Sequence, residues 1–171
     1  TAANLNLNRD YMKLDAPETR TLVSALVAWA PDLYFDLHVT DGGDYQADIT
    51  FGWNRRTPYS PSIERWLEAT FRPTAEKALG AAGHVPGPLA LFAGDRAEDG
   101  ILDWNAEPRF SNGYPLLHGR IGLLVETHML KPYGTRVKAT YDAVVAVLDT
   151  SPPRSPVTST PPRAPSSRQL T

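Results

Sequence analysis

The sequence predicts an α/β domain, a sheet packed on both sides by helices. Two observations carry that reading. Apolar residues alternate in some segments and recur at helical spacing in others, and the two kinds of segment take turns along the chain. The length allows it too: 171 residues, 42% of them apolar, can bury a sizeable core.

Asn4 to Asn8 alternates Leu and Asn, which suggests a short strand leading into a polar Asn8-Arg9-Asp10 cluster. A helix start follows at Asp15-Ala16-Pro17-Glu18, where Asp15 caps, Glu18 reaches back and Pro17 is tolerated in the first turn. Leu22, Val23, Leu26 and Val27 then recur at helical spacing as far as Trp29, and Pro31 ends the run. Leu33 to His38 is a strand with Leu33, Phe35 and Leu37 on one face and Asp36 and His38 on the other. After the Asp41-Gly42-Gly43-Asp44 turn, Tyr45 to Phe51 is a further candidate strand.

Ser60-Pro61 starts a second helix carrying Ile63, Trp66, Leu67, Thr70 and Phe71 on one side, with Pro73 breaking or kinking it before Ala75–Ala82. Leu89–Phe92 and Ile101–Trp104 read as short strands. Ile121 to Glu126 is a buried strand whose apolar run stops abruptly on a carboxylate. The last helix spans about Tyr133 to Leu148, with Val137, Tyr141, Val144, Val145 and Leu148 expected to face inward.

Prolines punctuate the far end. Six of the 16 fall after Thr150, in a stretch without aromatic residues, so residues 150–171 read as a disordered, partly polyproline-II tail, with a Pro-x-x-Pro ligand as the alternative. That tail holds three arginines and no acid, so the formal charge of −2 conceals a body of 14 basic and 19 acidic residues at −5. Such a balance argues against a nucleic-acid binder. No apolar run approaches the roughly 18 residues of a membrane span, and the absence of cysteine excludes disulfides and thiol nucleophiles.

Functional groups in open α/β sheets collect beyond the carboxyl ends of strands. Two strands here finish on such groups, His38 and Glu126; the plainer alternative is that each marks where its strand meets solvent. His38 could ligate zinc, but no second histidine lies at helical spacing, and a three-ligand site cannot be assembled from these spacings. Glu126 and His128 would share a face if that strand continued, whereas His84 reads as a loop residue and His118 as structural or solvated. Arg9 offers a planar fork for a carboxylate or phosphate with the Asn8 amide beside it; a surface pair with Asp10 or Asp15 is the alternative.

Three segments together carry a resemblance. Asn6-Leu7-Asn8-Arg9-Asp10-Tyr11-Met12-Lys13, Asp36-Leu37-His38-Val39-Thr40-Asp41-Gly42 and Leu123-Leu124-Val125-Glu126-Thr127-His128-Met129-Leu130-Lys131-Pro132-Tyr133 resemble zinc carboxypeptidases of the M14 type, in their bacterial branch. The likeness covers residues 1–149. It implies a mixed central sheet flanked by helices and one zinc ion with His38 as the third ligand. It also implies that Asn8 and Arg9 grip the substrate's C-terminal carboxylate. Glu126 would take a proton from zinc-bound water and deliver it to the leaving amine, and Tyr114 would be the mobile tyrosine near the substrate.

The family's first two ligands come from a His-x-x-Glu motif ahead of the Asn-Arg pair, and none of His38, His84, His118 or His128 has a glutamate three residues on. The expectation is therefore a C-terminal part of the domain, its N-terminal part missing and two zinc ligands lying upstream of Thr1, with little zinc affinity or activity of its own. The expected substrate is a peptide or protein C-terminus, and the resemblance leans towards a secreted or periplasmic enzyme. Two other functions stay open: a zinc amidohydrolase acting on an acyl-amino acid or cell-wall peptide, and a non-catalytic module that binds peptide C-termini. The specificity pocket would be lined from Asp44 to Asn112, where Asp48 or Asp103 would suit basic side chains.

Overall fold

A computed structural model describes residues 4–40, 42–53 and 61–150. Asp41, Ser60 and the Pro-rich segment 151–171 lie outside the described residues.

The sheet is built around β6 (Ile121–His128), which pairs in parallel with β1 (Leu33–Thr40) on one side and antiparallel with β2 (Ile49–Gly52) on the other. A short strand, β3 (Pro86–Pro88), adds in parallel to β2, giving the order β1-β6-β2-β3. The predicted Leu89–Phe92 and Ile101–Trp104 strands form a separate antiparallel pair, β4 (Ala90–Phe92) and β5 (Ile101–Asp103). Both main strands run two residues past the chemistry-bearing positions read from the sequence, to Thr40 and His128.

Alternation along β1, β6 and β2 sorts the side chains onto two unlike faces. Ile49, Phe51, Leu123 and Val125 point to one face and are buried with Phe71, Leu79, Ala139 and Ala143 of the helices. Phe71 is the hub, 5.8 Å from Phe51, 6.0 Å from Trp53 and 5.5 Å from Trp66 between ring centres. The opposite face carries Asp36 and His38 on β1, Glu126 and His128 on β6, and Thr50 on β2. Helices flank the mixed sheet: α3 (Arg72–Ala81) and α4 (Tyr133–Thr150) on the apolar face, while α1 (Pro17–Trp29) meets Tyr34 on the polar face across a cavity of about 210 Å³.

Several local expectations are corrected. Leu7–Arg9 is a single 3-10 turn rather than a strand, because the Asn6 side chain accepts the Asn8 N–H at 3.0 Å and closes the backbone locally. Asp15 does not cap α1. Ala16 takes the cap position without a side-chain cap bond, and the buried Asp10 holds the segment leading into it, accepting the N–H groups of Asp15 and Ala16 at 2.9 Å each, while Asp15 pairs with Lys13. Of the expected Tyr45–Phe51 strand only Ile49–Phe51 is in the ladder, which extends one residue further to Gly52.

Pro73 does not break its helix. α2 (Pro61–Trp66) opens into a wide π turn over Leu67–Phe71 and continues as α3, the widening accommodating a residue that has no N–H to give. α4 begins at the expected Tyr133 and runs two residues past the expected end, to Thr150, but in the opposite phase. Ala139, Ala143, Ala146 and Val147 are buried, whereas Tyr141 and Leu148 are 68% and 67% exposed. Small residues allow α4 to lie close to α3 and the sheet. The larger stripe, including Val137, Tyr141 and Val144, lines an outer groove with Val39 and Thr127.

Candidate active site

Parallel pairing sets His38 directly opposite Glu126, and antiparallel pairing sets Thr50 on the far side of Glu126. His38 Nδ1 stands 3.8 Å from Glu126 Oε1, while its Nε2 is 2.7 Å from Asp36 Oδ2 two residues back on the same strand face. The two residues that the sequence placed at separate strand ends are thus neighbours across one ladder rung.

The loop from Trp104 to Gly113 and the 3-10 turn Tyr114–His118 lie over this face. Gly122 is glycine for a steric reason: a Cβ there would meet the Asn112 carbonyl oxygen at 2.1 Å. Asn8 holds the same loop from the other side, its Oδ1 accepting the Ser111 N–H at 2.7 Å. The Arg9 guanidinium lies 4.3 Å from the centre of the Phe110 ring and makes neither of the surface pairs considered from the sequence. Asn8 and Arg9 therefore belong to the same wall as Ser111 and Phe110.

Charges in the site are mutually adjusted. Burial works to raise the Asp36 carboxyl, but the His38 hydrogen bond and the neighbouring Ser111 hydroxyl hold it below the ordinary carboxylate range. The Asp36 hydrogen bond raises His38 above its usual value against the opposing effect of burial, with the Glu126 charge adding and the Arg9 charge subtracting. His128 goes the other way. It is fully buried, bonded through Nδ1 to Thr40 Oγ1 at 3.1 Å and stacked on Tyr45 at 4.3 Å, and burial followed by the Lys131 charge pushes it down to about 4. It shares a strand face with Glu126 but is a neutral group of the strand end, with Thr40 as its partner.

Tyr114 stands apart from that rung. Its ring neighbours are Tyr11 at 5.9 Å and His118 at 5.0 Å, and it lines the cavity with Tyr34, Leu26 and Arg120 near the amino ends of β1 and β6. Asp48 accepts the Val85 N–H at 2.9 Å and sits 4.0 Å from Lys131, and Asp103 is exposed on β5. His84 is a loop residue, as expected, and a buried one, bonded to Asp142 at 2.7 Å and tying the end of α3 to α4. The groups that single-residue reading passed over are Ser111, Phe110 and the role of Asp36; only Asp36 left a signal, its spacing of two from His38.

A metal fits this site in part. His38 has one nitrogen engaged by Asp36 and the other facing Glu126, as a single ligand would. Among the described residues, no three His, Cys, Asp or Glu side chains converge as a metal site. A catalytic zinc needs about three protein ligands, so any such ion would need donors from elsewhere. No helix among the described residues is long and apolar enough to cross a membrane.

No protein-family model matches the chain, and no curated protein does. Among solved structures, the chain matches one described as a "putative carboxypeptidase" from Burkholderia mallei ATCC 23344, with a TM-score of 0.62 and 18% sequence identity. The match covers 88% of this chain and 39% of that one, so the chain spans about two fifths of that protein's length. The fold is carboxypeptidase-like: a mixed sheet flanked by helices, with His38 and Glu126 paired at its polar face.

Proposed function

We propose that this chain is the part of an M14-type zinc carboxypeptidase that carries the general base, the clamp for the substrate's terminal carboxylate and one metal ligand. The observation that carries the reading is the ladder pairing of His38 with Glu126, 3.8 Å apart, on the face walled by Asn8, Arg9 and Ser111. A zinc ion held by His38 and two ligands from other polypeptide would polarise the scissile carbonyl and acidify water.

The chain's own residues do the rest. Arg9 binds the free α-carboxylate in a bidentate pair while its guanidinium rests on Phe110. Asn8 spends its Oδ1 on Ser111, which leaves the amide Nδ2 as a donor to the same carboxylate. Glu126 accepts a proton from the attacking water and passes it to the departing amine. Tyr114 would reach substrate by moving out of its place beside Tyr11 and His118. The substrate is a peptide or protein C-terminus, and a secreted or periplasmic setting accords with such an enzyme.

The lone imidazole ligand among the described residues favours a second reading, a C-terminus-binding module without catalysis. One set of measurements separates the two. An N-acetylated tripeptide with a free C-terminus should shift the NMR signals of Asn8 and Arg9, and its C-terminal amide should bind at least about tenfold more weakly. Equal affinity for acid and amide removes the clamp and favours an amidohydrolase indifferent to that group. Dialysed chain is expected to hold little zinc and to turn over blocked dipeptides poorly; hydrolysis restored by adding the missing ligand-bearing polypeptide marks the enzyme. One tightly held zinc per chain would contradict the division of ligands.

A further inference from the structure

The cavity beside α1, about 210 Å³, lies away from the rung that carries the chemistry. Tyr34 lines it four residues before His38 on β1, so about 13 Å of strand separates the two. The gap is set by backbone. α1 closes on Ala30 in the left-handed conformation, at φ 46°, and Pro31 follows, which turns the chain directly into β1. On the other side the 3-10 turn Tyr114–His118 closes on Gly119, and the Arg120 N–H donates to the Pro115 carbonyl at 3.0 Å. The next N–H, of Ile121, donates to the Asp32 carbonyl at 3.1 Å and ties the turn to the start of β1.

The walls divide by chemistry. Leu26, Val27, Ala30, Pro31 and Pro115 supply apolar surface, and no carboxylate is among the lining residues. The polar groups able to donate are the Arg120 guanidinium, the His118 ring and the Tyr114 hydroxyl. Asp32 takes only Nη1 of Arg120, at 2.6 Å, which leaves Nε and Nη2, an edge that pairs side by side with a carboxylate. Asp32 itself is 97% exposed, so solvent screens its charge. Among the described residues, His118 and Tyr114 contact each other's rings and make no side-chain hydrogen bond. An apolar cavity of about 150 Å³ holds benzene, so this one has room for a ring and an acid group. We propose that the cavity is a binding site for a small aromatic carboxylate, its acid group paired with Arg120 and its rings between α1 and Pro115. The site needs neither a metal nor the His38–Glu126 chemistry.

The test titrates the whole 171-residue chain with naphthalene-2-carboxylate, read by NMR, with naphthalene-2-methanol as the same rings without the charge. The acid should shift the signals of Leu26, Val27 and His118 with a Kd of about 1 mM or tighter. The alcohol should bind at least about tenfold more weakly. Arg120→Ala should weaken the acid about tenfold and the alcohol little, as loss of a charged hydrogen-bond donor does. Asp32→Asn should leave the acid bound at least as well, which separates a ligand role of Arg120 from its pairing with Asp32. No shift at the cavity, equal affinity for acid and alcohol, an unchanged affinity in Arg120→Ala, or a tenfold loss in Asp32→Asn overturns the proposal. Shifts confined to Asn8 and Arg9, and abolished by Arg9→Ala, put the acid in the substrate clamp; they overturn this site and leave the clamp standing. If the variants do not fold, the wild-type comparison of acid with alcohol decides alone.

Discussion

Replacing Gly122 with alanine tests whether the loop over the site is seated on β6 as tightly as the backbone geometry requires. The added Cβ would lie 2.1 Å from the Asn112 carbonyl oxygen, 2.7 Å from its carbon and 2.9 Å from its Cα, all of them backbone atoms that no rotamer change can remove. Reaching even the 3.0 Å floor of real Cβ contacts demands a retreat of about 0.9 Å. The loop has little room for it. Ser111 is bonded to Asn8, and Gly113 is itself so close to Glu107 that a Cβ there would meet its carbonyl oxygen at 2.1 Å. Overpacking of this kind costs about 1–3 kcal/mol. A loss of about 2 kcal/mol, with a urea slope of about 2 kcal/mol/M, lowers the midpoint by about 1 M. Urea unfolding followed by tryptophan fluorescence gives that number, and a His38 resonance shifted in the folded variant would report the displaced Ser111. A midpoint within about 0.2 M of wild type, with His38 unmoved, would refute the reasoning.

Other expectations follow from the same geometry. Phe71→Ala, at the fully buried hub of four aromatic rings, should cost about 3–5 kcal/mol in the same unfolding assay. Asp10 is held below its ordinary value chiefly by the Ala16 N–H, so its stabilisation is present above about pH 4 and is lost as pH falls through the lower folded value; thermal midpoints between pH 6 and 3 should therefore fall less steeply in Asp10→Asn. The two histidines of the site should separate in one NMR titration, His38 changing above the ordinary histidine value and His128 only near pH 4. Their signs oppose: His38 stabilises below about pH 6.5 and loses this as pH rises through its folded value, whereas buried neutral His128 destabilises as pH falls from about 6.5 towards 4. His128→Phe should flatten that acid limb.

Local periodicity was enough to find β1, β6, α1 and α4, because each buries a face whose spacing is written in consecutive residues. It misjudged what depends on partners distant in sequence. The phase of α4 was read from its largest apolar residues, but close helix packing selected Ala139, Ala143 and Ala146 instead. Asp15 has the better local position for a cap, yet its own N–H and that of Ala16 are held by Asp10, which the turn after Arg9 brings back beside the helix start. In the site, His38 and Glu126 were legible as strand ends, yet nothing local indicates that their strands are adjacent or which rungs align. Ser111 and Phe110 left no trace, since their importance lies in contacts with residues about a hundred positions earlier.

β1 has a consequence beyond the residues it carries. Among the described residues it is laddered on one side alone, to β6, and its other rim spans the eight residues Leu33–Thr40, with Leu37 and Val39 about half exposed. An open rim of that length is a template for another strand. Whatever strand attaches there is indexed against His38 rung by rung, and a slip of one residue would exchange its inward and outward side chains. The strand is therefore a ruler as well as a support: the alignment of its open rim decides which foreign side chains arrive beside the imidazole.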